Sequence, residues 1–513
     1  MEDGVRRALM LTIESGYQLE QEAFALLQEY VEADPEDIVK RVIDRIKEMP
    51  EKPLFITRTM LEEAVKGVPI KKSAEPITPT TIGVGKAAFR PYARGVTSDI
   101  EVLEDPTEEI SSTGKVEDFF RYFRDRFSRI ERILRQRLDV RDAVPLRDAL
   151  EATRNSEVKT VGIVTEKRER RRAIFIQLED RESSATVFVP NAAKSLYDKA
   201  QRLLLDQLIC VQVRKGRNDL LIATEIIYPD IPERKARRAY EPVYAALISD
   251  LHVGSSMFLD GQLSRFVSWL RGEVGNRNQL RVAGRVKYVV VAGDLVDGIG
   301  VYPGQEDELA ITDIYDQYRT VAQFIEQIPD YIEVIIIPGN HDATRQALPQ
   351  PAILKKYAEP IYEGREVVML GDPARVRLHG VELLLYHGRS LDDVIGAVPE
   401  VMYRNLATTV SKAMEHLLKT RHLAPVYGQK TPIAPEPRDF LVIDEPPDIF
   451  HAGHVHVMGY EVYRGTLILN SGSWQSQTSY QRKMGLSPTA GVAPIVDLET
   501  FQVMPMDFTT LSS

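Results

Sequence analysis

The sequence predicts a multi-domain α/β protein, and three features carry that expectation. Apolar runs end abruptly in polar groups: VIII at 334–337 is cut by Pro338-Gly339 and hands over to Asn340, His341 and Asp342. Such runs read as buried strands, and Pro-Gly stops them in a turn. From Glu241 onward, strand-like runs alternate with helical stretches near 259–273, 311–328 and 400–420, the pattern of an α/β domain. Between about 158 and 229 the apolar period changes to two, the mark of a separate β unit.

A chain of 513 residues is too long for one core, and roughly three domains are expected. With 43% hydrophobic and 27% charged residues the composition is that of an ordinary globular protein, with no apolar run near the ~20 residues of a membrane span. The single cysteine, Cys210, excludes an intrachain disulfide and fits a reducing cytoplasm. It sits in the run LLLDQLICVQV and is expected to be a buried small hydrophobe. The net charge of −10, from 65 basic and 75 acidic residues, argues against non-specific coating of nucleic acid and suits a protein that binds cations.

In chain order, residues 1–68 read as a small helical domain. Residues 20–30 carry Ala23, Phe24, Leu26, Leu27 and Tyr30 at near-helical spacing, and Asp34-Pro35 is an N-cap with proline at the first helical position. Residues 69–114, rich in Pro, Thr, Ser and Gly, are expected to be linker, although 89–103 is apolar enough to lie along the next domain. A domain over 115–240 opens with a helix at 115–138. Its apolar stripe is Val116, Phe119, Phe120, Phe123, Phe127, Ile130, Leu134 and Leu138, with Arg and Glu opposite. Five strands follow at 160–165, 173–178, 185–189, 208–213 and 220–227, with a helix-like stretch at 192–205 between the third and fourth. That order matches an OB-fold. Its basic turn, Lys167, Arg168, Arg170, Arg171 and Arg172, is a candidate DNA contact as well as an ordinary solvated hairpin. The remaining domain, 241–513, returns to strands near its end and is expected to pack two mixed sheets together.

Within that last domain, two more buried runs repeat the design. VYAALIS at 243–249 meets Asp250-Leu251-His252, and YVVVA at 288–292 meets GDLVD at 293–297. LLLYHG at 383–388 and FHAGHVH at 450–456 follow, and none of the nine histidines precedes residue 252. Asp and His two apart at a strand end point to the same side, so Asp250 and His252 can meet on one ion, as can His454 and His456. Carboxylate, imidazole and amide oxygen without thiolate suit Mn, Fe or Zn more than a structural zinc knuckle.

The ordered set DLH, GDLVD, GNHD, YHG and GHVH resembles the calcineurin-like metallophosphoesterase superfamily, whose two-sheet sandwich is flanked by helices. The resemblance implies one metal on Asp250, His252, Asp294 and His456 and a second on Asp294, Asn340, His387 and His454, with Asp294 bridging. Two ions about 3.5–4 Å apart stabilise the attacking and leaving oxygens of phosphoryl transfer. It further implies His341 as the acid for the leaving oxygen, Asp342 orienting its ring, and Asp297 bracing the Asp294 loop. His379, His416, His422 and His451 match no ligand position and are expected to be structural.

The whole arrangement, with YHGRSLDDVI at 386–395 and RHLAPVYG at 421–428, resembles the small subunits of archaeal family-D DNA polymerases. That resemblance implies a 3′-to-5′ proofreading exonuclease using two divalent ions, manganese first and iron, zinc or magnesium as alternatives. It implies as partners a large catalytic subunit, the DNA primer 3′ end and, through the complex, the sliding clamp and primase. No membrane is involved, and the location implied is cytoplasmic. Two other readings stand beside it: an inactive scaffold for the large subunit, and another phosphoesterase such as a repair nuclease.

Overall fold

The computed structural model describes residues 35–48, 55–65, 89–170, 173–217 and 220–511, with scattered positions between 8 and 23. The chain divides into two units, Met1–Lys86 and Ala87–Ser513. In the first, strand β1 (Gln18–Leu19) pairs in parallel with β2 (Phe55–Ile56). A helix at Pro35–Glu48 starts on its proline, whose missing N–H would have no helical partner there. Its Ile38, Val39, Val42, Ile43 and Ile46 form a core with Ile56 and Leu61, joined by the helix Arg58–Val65. The expected helix over 20–30 and the cap at Asp34 lie outside the described residues, Ala23 excepted.

The second unit corrects part of the linker expected over 69–114, of which 69–88 lie outside the described residues. Strand β3 (Ile100–Glu104) lies inside that stretch and pairs antiparallel with residues 375–378, so 100–104 belong to a sheet, in line with the apolar character of 89–103. Next comes a closed five-stranded barrel of β4 (Glu157–Arg170), β5 (Ala173–Glu179), β6 (Ser184–Val189), β7 (Leu208–Lys215) and β8 (Leu221–Ile227), in the order β4-β5-β6-β8-β7. Its fourteen-residue first strand closes it, pairing with β7 through 157–163 and with β5 through 163–170. The helix Lys194–Gln201 lies between the third and fourth strands. Alternate residues Ile174, Ile176, Leu178, Val187 and Val189 fill the interior, as a period of two requires.

The remaining strands are β9 (Tyr244–Ile248), β10 (Val286–Ala292), β11 (Glu333–Ile337), β12 (Val368–Met369), β13 (Ala374–Leu378), β14 (Val381–Leu385), β15 (Ile449–Ala452), β16 (Gly459–Tyr463), β17 (Thr466–Asn470), β18 (Val492–Asp497) and β19 (Val503–Asp507). They form two six-stranded sheets, β12-β11-β10-β9-β18-β19 and β16-β17-β15-β14-β13-β3. The sheets face each other across one core, with Leu247, Val290 and Ile335 from the first against Val376, Leu383 and Leu467 from the second. Helices Asp260–Leu270 and Ile314–Glu326 cover the outer face of the first sheet, and Leu406–Thr420 covers that of the second. β9, β10 and β11 run parallel, as do β14 and β15, so each set delivers its carboxyl ends to one edge. Among the described residues no helix is long and apolar enough to cross a membrane.

The helix Val116–Arg135 joins barrel to sandwich, and its buried face differs from the expected stripe. Phe127, Ile130 and Leu134 pack on Val161, Leu208 and Cys210 of the barrel together with Val442. Val116, Phe120 and Leu138 are exposed, Phe120 by 67%, while Tyr122, Arg126 and Arg129 are buried instead. The guanidinium of Arg126 donates to Asp439 Oδ2 at 2.8 Å, to the Pro425 carbonyl at 3.0 Å and to Tyr122 Oη at 2.8 Å. Periodicity alone assigns arginine to the solvent side, because the carboxylate that makes its burial tolerable lies 313 residues away.

Removing one partner of a buried ion pair leaves an uncompensated charge and costs about 3–5 kcal/mol. Arg126→Ala is therefore expected to destabilise the second unit by about that amount. Urea denaturation of the variant checks this; an unchanged midpoint would show that the pair is not what fixes the helix.

Candidate metal centre

Five strands end at one edge of the sandwich, and the residue types that follow them are those expected from the sequence. β9 leads to Asp250 and His252, β10 to Asp294, β11 to Asn340, β14 to His387, and β15 to His454 and His456. Asp250, His252, Asp294, His454 and His456 all have left-handed backbone, with φ of 54°, 51°, 53°, 70° and 58°. This region is uncommon for residues with a Cβ. It turns each side chain back over the strand ends instead of letting the chain run on.

Glycines allow the loops to approach closely. A Cβ on Gly339 would lie 2.2 Å from Asp294 Oδ1, and one on Gly293, whose φ is 85°, would lie 2.6 Å from His387 Nδ1. Only glycine fits at contacts that short.

The donor atoms converge in two groups that share Asp294. His252 Nε2 lies 3.0 Å from His456 Nε2 and 3.9 Å from Asp250 Oδ1, and His456 Nε2 lies 3.4 Å from Asp250 Oδ1. Asp294 Oδ2 is 3.7 Å from His252 Nε2 and 3.3 Å from His387 Nε2, which in turn is 3.0 Å from Asn340 Oδ1. The sets Asp250–His252–His456 and Asp294–His387–His454 each offer one atom per residue within 4.8 Å of the others. The structure thus brings together all seven residues expected as ligands.

Hydrogen bonds to the far ring nitrogens fix which atom faces the centre. His252 Nδ1 donates to Asp297 Oδ1 at 3.0 Å, and His387 Nδ1 to the Ala292 carbonyl at 2.8 Å. His454 Nε2 donates to Asp392 Oδ2 at 3.1 Å, which turns its Nδ1 inward, and the Gln481 amide lies 2.8 Å from His456 Nδ1. The three partners that accept from a ring N–H orient a ligating imidazole and raise its basicity, whereas the Gln481 amide nitrogen, a donor, only orients His456. Sequence reasoning misses both Asp392 and Gln481. The nearest signal is the segment YHGRSLDDVI, in which nothing marks Asp392 as a histidine partner.

Two expected roles change. Asp342 does not touch the His341 ring; it accepts from Gly339 N at 2.9 Å, Leu295 N at 3.3 Å and Tyr318 Oη at 3.1 Å, stapling two strand-end loops together. His341 is held by the Asp297 carbonyl at 2.7 Å from its Nδ1, and its backbone N–H donates to Asp294 Oδ1 at 2.8 Å. Asp297, expected to brace the Asp294 loop, supports the His252 ring as well. Sequence adjacency favours Asp342, but its carboxylate is taken up by the Gly339 and Leu295 N–H groups and the Tyr318 hydroxyl.

Electrostatics follow from burial and crowding. Burial alone would push the Asp294 carboxyl up, yet the His387 and His341 rings outweigh it and hold Asp294 well below the usual carboxylate range. Burial and the neighbouring Asp294 charge push Asp342 up to about 7. Burial lowers the basicity of His387, but the Asp294 carboxylate more than reverses this and raises it to about 10.

The four remaining histidines lie outside the centre. His379 Nδ1 meets Tyr288 Oη at 2.5 Å, His422 Nε2 meets Asp439 Oδ2 at 2.9 Å, His451 Nε2 meets Ser471 Oγ at 3.1 Å, and His416 packs edge-on against Tyr228. In the barrel, Lys167 Nζ donates to the Gln201 and Leu203 carbonyls at 2.7 Å each, capping a helix end rather than facing solvent. Arg168 pairs with Glu166, and Arg170 lines a shallow groove with Phe175. Arg171 and Arg172 lie outside the described residues.

The family of B-type subunits of DNA polymerases alpha and epsilon matches residues 245–457, the stretch that carries every residue of the centre. A DNA polymerase II small subunit from Methanocaldococcus jannaschii is 40% identical over 411 residues, 79% of this chain and 68% of that protein. That from Archaeoglobus fulgidus is 40% identical over 457 residues, 88% of each chain. That from Methanothermobacter thermautotrophicus is 37% identical over 486 residues, 94% of this chain and 96% of the other. Identity at this level, sustained through both the barrel and the sandwich, goes well beyond a shared fold: the chain belongs to the family of archaeal family-D DNA polymerase II small subunits.

Proposed function

We propose that this chain is a 3′-to-5′ exonuclease that proofreads for a two-subunit DNA polymerase in the cytoplasm, hydrolysing DNA phosphodiesters at the strand-end centre with two divalent cations. The observation that supports it most is the convergence of seven imidazole, carboxylate and amide groups around one shared carboxylate, Asp294. In this reading the sandwich is a calcineurin-like phosphoesterase and the barrel, with its helix between third and fourth strands, an OB-fold.

The donor set fits divalent metals on its own chemistry. Imidazole nitrogens and carboxylate oxygens from several strand ends crowd within 4.8 Å of one another, in sets of the size a single ion gathers. Asp250, His252, Asp294 and His456 would hold one ion, and Asp294, Asn340, His387 and His454 the other. Nitrogen and oxygen donors without thiolate suit manganese, iron or zinc, with magnesium the poorer match. Such a pair of ions activates water and neutralises the phosphoryl oxygens.

His341 supplies the proton. Its Nδ1–H donates to the Asp297 carbonyl, so Nε2 is the atom left for the substrate; in the imidazolium form it passes the Nε2 proton to the 3′ oxygen that leaves the penultimate nucleotide and returns to the neutral ring. A second reading makes His341 a ligand, since one of its nitrogens lies within 4.8 Å of donor atoms of His252 and Asp294. The scaffold reading is disfavoured by the intact donor set.

The relatives are named small subunits, and the partner proposed here is accordingly a large polymerase subunit, which brings the primer 3′ end. The sliding clamp and primase would be reached through that complex. The helix Val116–Arg135 and the segment 231–240 bind barrel and sandwich firmly together: Arg234 pairs with Asp448, and Arg237 with Glu382. We place the partner surface on this joined body.

Asp294→Asn is expected to abolish hydrolysis of a primer 3′ end and to weaken both metals. Metal content after dialysis checks it, and two equivalents retained by an active variant would remove the bridging role. His341→Ala is expected to keep both metals and the fold while losing at least ~10²-fold in rate. Loss of metal together with activity would make His341 a ligand. A chain beginning after Gly67 is expected to co-purify with the large subunit and to degrade a 3′ end in manganese; a folded truncation that no longer associates would place docking in the first unit.

A further inference from the structure

Beside the centre, one loop presents apolar surface to solvent without covering any core. It runs from 298 to 304, directly after Asp297. Ile299 is 49% and Tyr302 37% exposed. The Tyr302 ring stands 6.4 Å from the His341 ring, centroid to centroid, at 65°. Exposed apolar side chains grouped beside such a centre offer surface on which a ligand group can lie.

The loop is built, not slack. Gly298 and Gly300 have φ of 75° and 71°, and a Cβ on Gly298 would lie 2.4 Å from the His341 carbonyl oxygen. Gln317 receives the Gly298 N–H at 2.9 Å and donates back to its carbonyl at 3.2 Å. Gln305 donates to the Asp297 carbonyl at 2.7 Å and accepts from Val301 N at 2.9 Å. The Tyr302 hydroxyl donates to Glu308 Oε2 at 2.9 Å, and the other oxygen of Glu308 accepts from Ser479 at 2.9 Å. The phenol is therefore pinned at its polar end while the side chain stays partly exposed beside His341.

Residues 298–301 of the same loop, Ile299 among them, form one wall of a cleft of about 750 Å³, which His341, Leu354 and Tyr357 also line; Tyr302 is outside that lining and stands beside the His341 ring. That volume lies in the range that encloses a small organic group. The cleft is mixed, with Ile299, Val301, Leu354 and Tyr357 beside Asp342, Thr344 and Arg345, and it adjoins His341, whose backbone N–H reaches Asp294. Apolar surface next to candidate metal donors matches the two halves of a nucleotide, a flat base and a phosphate.

We propose that Tyr302 and Ile299 form a stacking platform for the base at the 3′ end of an unpaired strand, setting the preference of the site for frayed over paired ends. This rests on the exonuclease reading above. A base can lie on a side-chain ring only after leaving its neighbour in the duplex, and unpairing costs least where the end is mismatched. Stacking on an aromatic ring is tolerant of sequence, as removal of any misincorporated base requires. Tyr302 is a positioning residue: it holds the base, and His341 meets the leaving oxygen.

The test uses the full chain with manganese and an oligonucleotide ending in 2-aminopurine through a slowly cleaved phosphorothioate, whose fluorescence falls when the base stacks. Wild-type protein is expected to quench it. Tyr302→Ala is expected to lose the quench and bind at least about fivefold more weakly, the low end for one stacked base, while Tyr302→Phe keeps both. With an abasic 3′ residue, wild type and Tyr302→Ala are expected to bind alike. Equal quenching by wild type and Tyr302→Ala would overturn the platform, as would equal loss in the Phe variant. Hydrolysis of the ordinary phosphodiester, measured in parallel, separates the two readings. Quenching without hydrolysis would overturn the nuclease and leave the platform standing, hydrolysis with unaltered quenching in Tyr302→Ala the reverse, and neither in wild type would overturn both.

Discussion

The carboxylate of Asp294 is the point on which the rest of the centre depends. One of its oxygens accepts the His341 N–H while the other faces His252 and His387, so a single side chain ties together loops that follow three different strands, β9, β11 and β14. It is buried among imidazoles that hold it ionised, and nothing apolar could replace it without leaving those rings unmatched. Placing it there requires left-handed backbone at Asp294 and at four other donor residues, each costing on the order of 1–3 kcal/mol. Such strain persists only where the surroundings over-determine it. Here the surroundings are five strands whose hydrogen-bonded registers leave their ends nowhere else to go.

That constraint explains the architecture around it. Parallel strands in each sheet bring their carboxyl ends to a common edge, and stacking the two sheets face to face brings the two edges together. Outer partners then turn each ring: Asp297 for His252, the Ala292 carbonyl for His387, Asp392 for His454. Asp342, which holds the loops of β10 and β11 together, keeps the spacing between donors that belong to different strands.

The barrel is carried by the sandwich through a helix whose buried arginines meet carboxylates of the sandwich. Arg126 reaches Asp439, and Arg129 reaches Asp444 as well as Asp125 on its own helix. Buried ion pairs add little net stability over an apolar contact, but they tolerate few alternative registers. Pinning the helix this way fixes how barrel and centre face one another.

By itself the sequence determined the elements and the chemistry. Buried runs, each ending in Asp, Asn or His, named the strands and the polar residues at their ends, because strand burial and side-chain alternation are local properties of the chain; the choice of seven of those residues as candidate donors came from the resemblance of the ordered motifs. The period of two named the barrel strands for the same reason. What tertiary structure decided were the relations that cross hundreds of residues. Arg126 is buried because Asp439 lies opposite it; Ile100–Glu104 is a strand because β13 offers it an edge; His341 is oriented by the Asp297 carbonyl rather than by adjacent Asp342; Lys167 caps a helix instead of facing solvent. A charged or polar group's place depends on which partner desolvation can be offset against, and that partner is set by packing, which no local pattern encodes.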